Sequence, residues 1–345
     1  MRSLSDQKLD RLRRIATQPD FSGTKYRLIR ELGHGGMGTV YLAEDIDLDR
    51  EVAVKVLSTE ADESALSRRM VREAQIIARL EHPGIVPVHD VGALADGRVF
   101  YAMKLVRGDR LDEYTANVDS LKERLRKFQA ACDAVSFAHA HGVIHRDLKP
   151  QNIMIGEFGE VLVLDWGVAK ILRDAILDRD DSEAETLRLL PRTHTNESQL
   201  EEHADDTLRG TIIGTAKYMS PEQERGAINE LNQRSDVYSL GAILYFLLTN
   251  RSPAAVPPRA VNAKVSKAAE AVCLKAMSAS AADRYYSAAQ LSADVARLLN
   301  DEPVSAYREN WFEKVWRWVS KNRVLLLIVL AYLLVRIFFI FSAWR

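Results

Sequence analysis

Residues 144–152 read Ile-His-Arg-Asp-Leu-Lys-Pro-Gln-Asn, a stretch that brings together a carboxylate (Asp147), an ammonium (Lys149) and a carboxamide (Asn152). Eighteen residues after Asp147 a second carboxylate, Asp165, stands in VLVLDWGVAK (161–170). Far upstream, LGHGGMGTV (32–40) contains Gly33, Gly35 and Gly38 in the pattern G-x-G-x-x-G. Dinucleotide-binding folds use the same glycines, but there the third opens a helix, whereas TVYLAED (39–45) alternates as a strand. Gly38 is followed by Thr39 and Val40, so the lysine of a P-loop is absent. What remains is a glycine-rich strand-turn-strand flap whose backbone can lie close against phosphates. In the following strand VAVK supplies Lys55, and Glu73 lies 18 residues on, in the helical REAQIIARL (72–80). A Lys–Glu pair joining strand to helix would hold the ammonium towards a nucleotide's phosphates.

Around these motifs the apolar pattern changes once. From Tyr26 to about Val106, YRLIREL, TVYLAED, EVAVKVL and RVFYAMKLV read as strands, interrupted by one helix at roughly Glu63 to Leu80. From Leu111 to about Asn300 helices dominate: Leu121, Leu125, Phe128, Cys132 and Val135 recur at steps of three and four, marking one buried face. Asp236 to Thr249 is apolar all round yet too short to span a membrane, which predicts a central core helix. A short amphipathic helix (Leu9, Leu12, Ile15) is expected within residues 1–25. The expected fold class is therefore α+β, with a small β-rich lobe at 26–105 and a larger helical lobe at 106–300.

Further motifs follow in order: GTAKYMSPE (214–222), SDVYSLG (235–241) and the Asp-Arg-Tyr that carries Arg284. With these in place, residues 26–300 resemble the bacterial eukaryotic-like Ser/Thr protein kinases. The resemblance implies a two-lobed protein-kinase-like fold, ATP as phosphoryl donor and Mg²⁺, with Mn²⁺ as a substitute. It implies that Asp147 is the catalytic aspartate, that Asn152 and Asp165 hold the metal, and that Lys55, paired with Glu73, neutralises phosphate charge. Lys149 would reach the transferring phosphate, and Thr215 would bond the catalytic aspartate and lysine. Both are Ser/Thr-kinase features, since tyrosine-kinase loops resemble RDLAARN, so protein substrates with Ser/Thr acceptors are expected. The flap Leu32, Gly33, His34, Gly35, Gly36, Met37, Gly38 and Thr39 would cover the nucleotide, with Val40 and Ala53 above the adenine. Met103 falls at the gatekeeper position, Lys104 to Val106 at the hinge, and Arg284 would pair with Glu222. Arg146 would await a phosphate on the activation segment, for which Thr207 and Thr211 are the expected acceptors.

Departures from the family pattern are Trp166 in place of phenylalanine, Ser220-Pro221-Glu222 in place of Ala-Pro-Glu, and Lys104 at an often acidic hinge position. A Pro-rich stretch (Pro253, Pro257, Pro258) stands where the family has a further helix. Asp165 to Glu222 spans 58 residues, and within Arg173 to Asp206 there are 11 acidic and 4 basic residues, a pattern expected of a solvated insert.

The chain has 345 residues, with 47 Lys plus Arg against 48 Asp plus Glu, a balance that argues against coating nucleic acid. Cys132 and Cys273 make no metal or disulfide framework and are expected as buried, reduced thiols. No secretory signal opens the sequence. Val324 to Phe341 reads VLLLIVLAYLLVRIFFIF, 18 residues with one charge, about 27 Å as a helix. Before it, in the linker 301–323, WFEKVWRWVSKNR carries three tryptophans and four basic residues, the composition of an interfacial belt. These features predict a single-pass cell-membrane protein with membrane lipid as a partner and a cytoplasmic kinase domain, Arg336 either snorkelling or facing a partner helix in a homodimer. The alternative from another class is a membrane-anchored pseudokinase scaffold. A membrane receptor is disfavoured, because only Ser342 to Arg345 follow the apolar run.

Overall fold

Alternation of apolar and polar residues along 26–57 produces three strands, β1 (Tyr26–Gly35), β2 (Gly38–Asp45) and β3 (Arg50–Leu57). The structure is a computed structural model that describes residues 19–35, 38–57, 71, 74–166, 170–171 and 216–343. With β4 (Val88–Ala93) and β5 (Val99–Lys104) these strands form an antiparallel sheet of order β1-β2-β3-β5-β4. Successive side chains of a strand point to opposite faces. On one face Val52, Val54 and Val56 pack with Phe21, Tyr26, Leu94 and Phe100. On the other, the register aligns Leu42, Ala53 and Met103 in one row and Val40, Lys55 and Tyr101 in the next. The expected helix at 63–80 is described only in part. It is helical at 74–78, where Ala74 meets Tyr101 of the sheet while Ile76 and Ile77 join the large cluster below.

The chain leaves the small lobe through β6 (Gly108–Arg110) and enters the helical lobe at α1 (Leu111–Asn117) and α2 (Leu121–Ala140). At Gly108 φ is +143°, and a Cβ would lie 2.0 Å from the carbonyl oxygen of Ile155, so only glycine lets this crossing seat itself. Ser120 caps α2 by accepting the Glu123 N–H, and the apolar stripe of α2 is buried as its spacing requires. The core helix α4 (Gln233–Thr249) starts three residues before the sequence suggests, because Asn232 caps it. Its close partner is α6 (Lys267–Ala276): a Cβ on Gly241 would sit 2.7 Å from that of Ala276. Between them the Pro-rich stretch holds a single turn, α5 (Pro258–Val261). Helices α3 (Pro221–Glu224) and α7 (Ala288–Leu299) complete the lobe. Cys132 and Cys273 are buried, and burial pushes both thiols up.

Strands too short for the sequence to reveal lie at the seam between the lobes. β8 (Ile153–Gly156) pairs with β6 and β9 (Val161–Val163), while β7 (Val143–Ile144) pairs with β10 (Lys170–Ile171). After the kinase-like body come α8 (Trp311–Lys321) and α9 (Arg323–Ala343). Among the described residues no helix is long and apolar enough to cross a membrane. In α9 the run of described side chains covers only 326–336, although its helical backbone has 21 residues. The expected N-terminal helix lies outside the described residues, as do the acidic insert 173–206 and the acceptors Thr207 and Thr211.

Candidate active site

The loop 144–152 is held from beneath by one buried carboxylate. Asp236, fully buried on the core helix α4, accepts the backbone N–H of His145 and of Arg146, both at 2.8 Å, and lies 2.7 Å from His139 Nε2. Burial pushes this carboxyl up, but His139, His145 and the Arg146 N–H together outweigh it and hold it below the usual carboxylate range. Arg146 has φ +71°, and both of its backbone groups are tied from outside: its N–H to Asp236, its carbonyl to Gln223 Nε2 at 2.6 Å. A non-glycine residue in this left-handed region costs about 1–2 kcal/mol, and these two bonds hold it there.

The loop so fixed presents Asp147. Lys149 Nζ donates to its Oδ2 at 2.9 Å, and Asn152 Nδ2 donates both to that oxygen (3.1 Å) and to the Asp147 carbonyl (2.8 Å). The Asp147 N–H points to His145 Nδ1 at 3.2 Å, while His145 Nε2 meets the Leu164 carbonyl at 2.9 Å, linking the loop to the strand that leads into Asp165. Trp166 is wholly buried, stacks near His145 with ring centroids 4.6 Å apart, and donates its indole N–H to Val163. The large aromatic at position 166 therefore packs against the histidine two residues before Asp147.

Asp165 itself adopts φ +55° and leaves its side chain about half exposed, with Oδ1 3.3 Å from Lys55 Nζ. Lys55 is buried below Tyr101, its Nζ 5.7 Å from the ring centroid. The site thus joins β3 of the small lobe to the strand-end loops of the large one. Overhead, Val40, Ala53 and Met103 line the cleft-facing side of the sheet. The β1–β2 flap pairs as far as Gly35 with Gly38, and His34 Nδ1 lies 2.7 Å from Thr39 Oγ1. Gly36, Met37, Glu73 and Thr215 lie outside the described residues. At the hinge, Lys104 Nζ stands 4.0 Å from Glu160, and Arg107 pairs with Glu51.

The oxygens fit a magnesium nucleotide. Asn152 commits its Nδ2 to Asp147, which leaves its amide oxygen, and Asp165 offers a carboxylate at the open side of the cleft. Among the described residues no group of three or more His, Cys, Asp or Glu side chains could hold a metal. An ion there would complete its shell from phosphate and water, as Mg²⁺ does with one or two protein oxygens.

Away from the cleft, Arg284 and Glu222 form a buried bidentate pair at 2.7 and 2.8 Å. The protein kinase domain model matches residues 26–302. The chain belongs to the protein kinase family. Among similar kinases, the serine/threonine-protein kinase PknB of Mycobacterium tuberculosis is 36% identical over 312 residues, which cover 84% of this chain and 45% of PknB. The serine/threonine-protein kinase PknD of Chlamydia trachomatis is 34% identical over 311 residues, 81% of this chain and 32% of that protein. The chain thus spans less than half the length of either kinase. The crystal structure of the Mycobacterium tuberculosis PknI kinase domain superposes with a TM-score of 0.57 at 26% identity, covering 79% of this chain and 96% of that domain. The kinase domain of this chain is of the serine/threonine type.

Two contributors escaped the sequence reading of the site, His139 and Gln223, and His145 stood in the quoted motif without a role of its own. The one available signal was Asp236, a carboxylate in an otherwise apolar helix, which must find partners if buried.

Proposed function

We propose that this chain is a membrane-anchored Ser/Thr protein kinase that transfers the γ-phosphoryl group of ATP to protein hydroxyls. The observation that carries the reading is the Asp147 carboxylate held between Lys149 and Asn152, across the cleft from the Lys55–Asp165 pair. Asp147 accepts and orients the proton of the attacking hydroxyl. Lys149, already on Asp147 Oδ2, reaches from there to the transferring phosphate and favours Ser or Thr acceptors. Lys55 meets the α- and β-phosphates, and Asn152 and Asp165 hold the metal. Mg²⁺ supplies the neutralisation of phosphate charge as it moves towards the leaving oxygens. Val40, Ala53 and Met103 enclose the adenine, and the β1–β2 flap covers the phosphates. Phosphate on Thr207 or Thr211 would be read by Arg146.

For the anchor, the 21 residues of α9 are about 32 Å long as a helix, enough for a hydrocarbon core of about 30 Å. Arg308, Lys314, Arg317 and Lys321 precede it and Arg323 is its first residue, a positive flank that puts the kinase domain on the cytoplasmic side. Arg336 lies towards the far end, where its stem can carry the charge to the outer headgroups.

The test is phosphate transfer by the full chain in vesicles, from labelled ATP with Mg²⁺ to a generic protein substrate. Asp147→Asn, Asp165→Asn and Lys55→Met should each lower transfer by about 10²-fold or more without shifting the unfolding midpoint. Wild-type activity in all three defeats the assignment. No activity in the unmutated chain under varied metals and lipids would favour a scaffold. Extraction of the chain from membranes by carbonate would defeat the span.

A further inference from the structure

Amphipathic helices of globular domains turn their apolar face to protein. Helix α8 does the reverse. Trp311, Val315 and Trp318, spaced i, i+4, i+7 along one face, are 65%, 50% and 56% exposed, and the adjoining Phe312 is 67% exposed. The opposite edge carries Glu313 and Arg317, and Glu313 is the one bonded to the domain. Glu313 accepts from Lys267 Nζ of α6 at 2.7 Å, from the Tyr307 hydroxyl at 2.9 and 3.0 Å, and from the Asn310 N–H at 3.1 Å. Arg317 donates to Glu309 at 2.8 Å. The aromatic face therefore points away from the kinase domain, with the rings of Trp311 and Phe312 already 3.7 Å apart. Exposed cations, Arg308 and Lys314, flank it, and one residue separates the end of α8 from α9.

We infer that α8 lies in the headgroup layer of an anionic membrane surface and, clamped to the large lobe through Glu313, fixes how the kinase domain sits on that surface. The inference rests on the reading of α9 as a span. Tryptophans with lysine or arginine beside them suit this depth, where rings bury their apolar bodies and cations meet lipid phosphates. A helix tied by its polar edge to a domain and by its end to a span has its aromatic face directed at the bilayer.

The experiment uses the full chain in vesicles of phosphatidylcholine and phosphatidylglycerol, with part of the lipid brominated at the upper acyl carbons. Tryptophan emission of the wild type is compared with that of a Trp311→Phe/Trp318→Phe variant, both positions being exposed. The wild type should lose more emission to brominated lipid than the variant, and the loss should shrink when phosphatidylglycerol is left out. Glu313→Ala should keep that quenching while the domain, labelled with a dye, tumbles faster in anisotropy decay. Equal quenching in wild type and double variant overturns the inference. So does a Val315→Cys chain that cross-links into dimers with its tryptophans shielded from bromine, which would assign the face to a second copy. Carbonate extraction read on the same vesicles separates the cases: a chain that resists extraction but shows no α8 quenching keeps the span and loses this inference, whereas a chain that is stripped away loses both.

Discussion

Among the described residues Arg284 is the most fully committed cation in the large lobe, and replacing it gives the sharpest test of the packing. Its five N–H groups meet five acceptors: Nε the Ser278 carbonyl (2.8 Å), Nη1 Glu222 Oε1 (2.7 Å) and the Arg234 carbonyl (2.9 Å), Nη2 Glu222 Oε2 (2.8 Å) and the Ala279 carbonyl (3.1 Å). Both side chains of the pair are nearly inaccessible, and Ser235 also donates to Glu222. Arg284→Met leaves Glu222 as a buried, uncompensated charge, at a cost of about 3–5 kcal/mol, or roughly 10 °C of unfolding midpoint for a domain of this size. Arg284→Lys keeps the charge but offers three donors for five acceptors, so it should fall between. The pH dependence follows from Glu222. Burial pushes its carboxyl up, but the Arg284 pair and the bonds from Ser235 and the backbone hold it down to about 2, against 4.5 for an ordinary glutamate. Because the folded value is the lower one, the stabilisation is fully present above pH 4.5 and is lost as pH falls towards 2. The gap corresponds to about 3 kcal/mol. Urea unfolding of the full chain in detergent, wild type against Glu222→Gln, reads it directly: the wild-type advantage should shrink by about that amount between pH 5 and pH 2. An advantage unchanged with pH, or an Arg284→Lys chain as stable as wild type, would refute the reasoning.

Trp166→Phe removes the indole bond to Val163 and leaves space beside His145, and should lower stability by about 1–3 kcal/mol in urea unfolding. Gly108→Ala forces a Cβ against the Ile155 carbonyl at φ +143°, which should cost about 2 kcal/mol or more and raise the KM for ATP by displacing the hinge. Mapping of autophosphorylated peptides should find phosphate on Thr207 or Thr211, and replacing both by Ala should lower substrate phosphorylation. Phosphate confined to other residues, with activity intact in the double variant, would remove Arg146 from that role.

The strands β1, β2, β3 and β5 and the helix α2 are legible in the sequence because their apolar patterns run for six residues or more, and α4 because it is apolar all round. The seam strands β6, β8 and β9 are three or four residues each, too short for period two to stand out, and their pairing depends on Gly108 fitting against Ile155. The site divides in the same way. Asp147, Lys149 and Asn152 are readable because they are close in sequence and carry unlike charge. Lys55 and Asp165 are 110 residues apart, and only the family pattern puts them together. His139 leaves no trace in AHAHG, since its partner Asp236 lies 97 residues further on. In α8 the composition announces an aromatic, basic helix, but the direction of its aromatic face depends on Glu313 finding Lys267 of α6, 46 residues away, which no local pattern encodes.

Because Asp236 grips the backbone of His145 and Arg146 from the core helix α4, the reactive loop should not melt independently of that helix. Foldons that carry catalytic groups usually sit at the low-stability end of a protein, where they open before the rest. Here the geometry of Asp147 is slaved to α4, so heating should extinguish phosphoryl transfer at the temperature where the large lobe's core amides begin to exchange, with no inactive but still folded plateau before it.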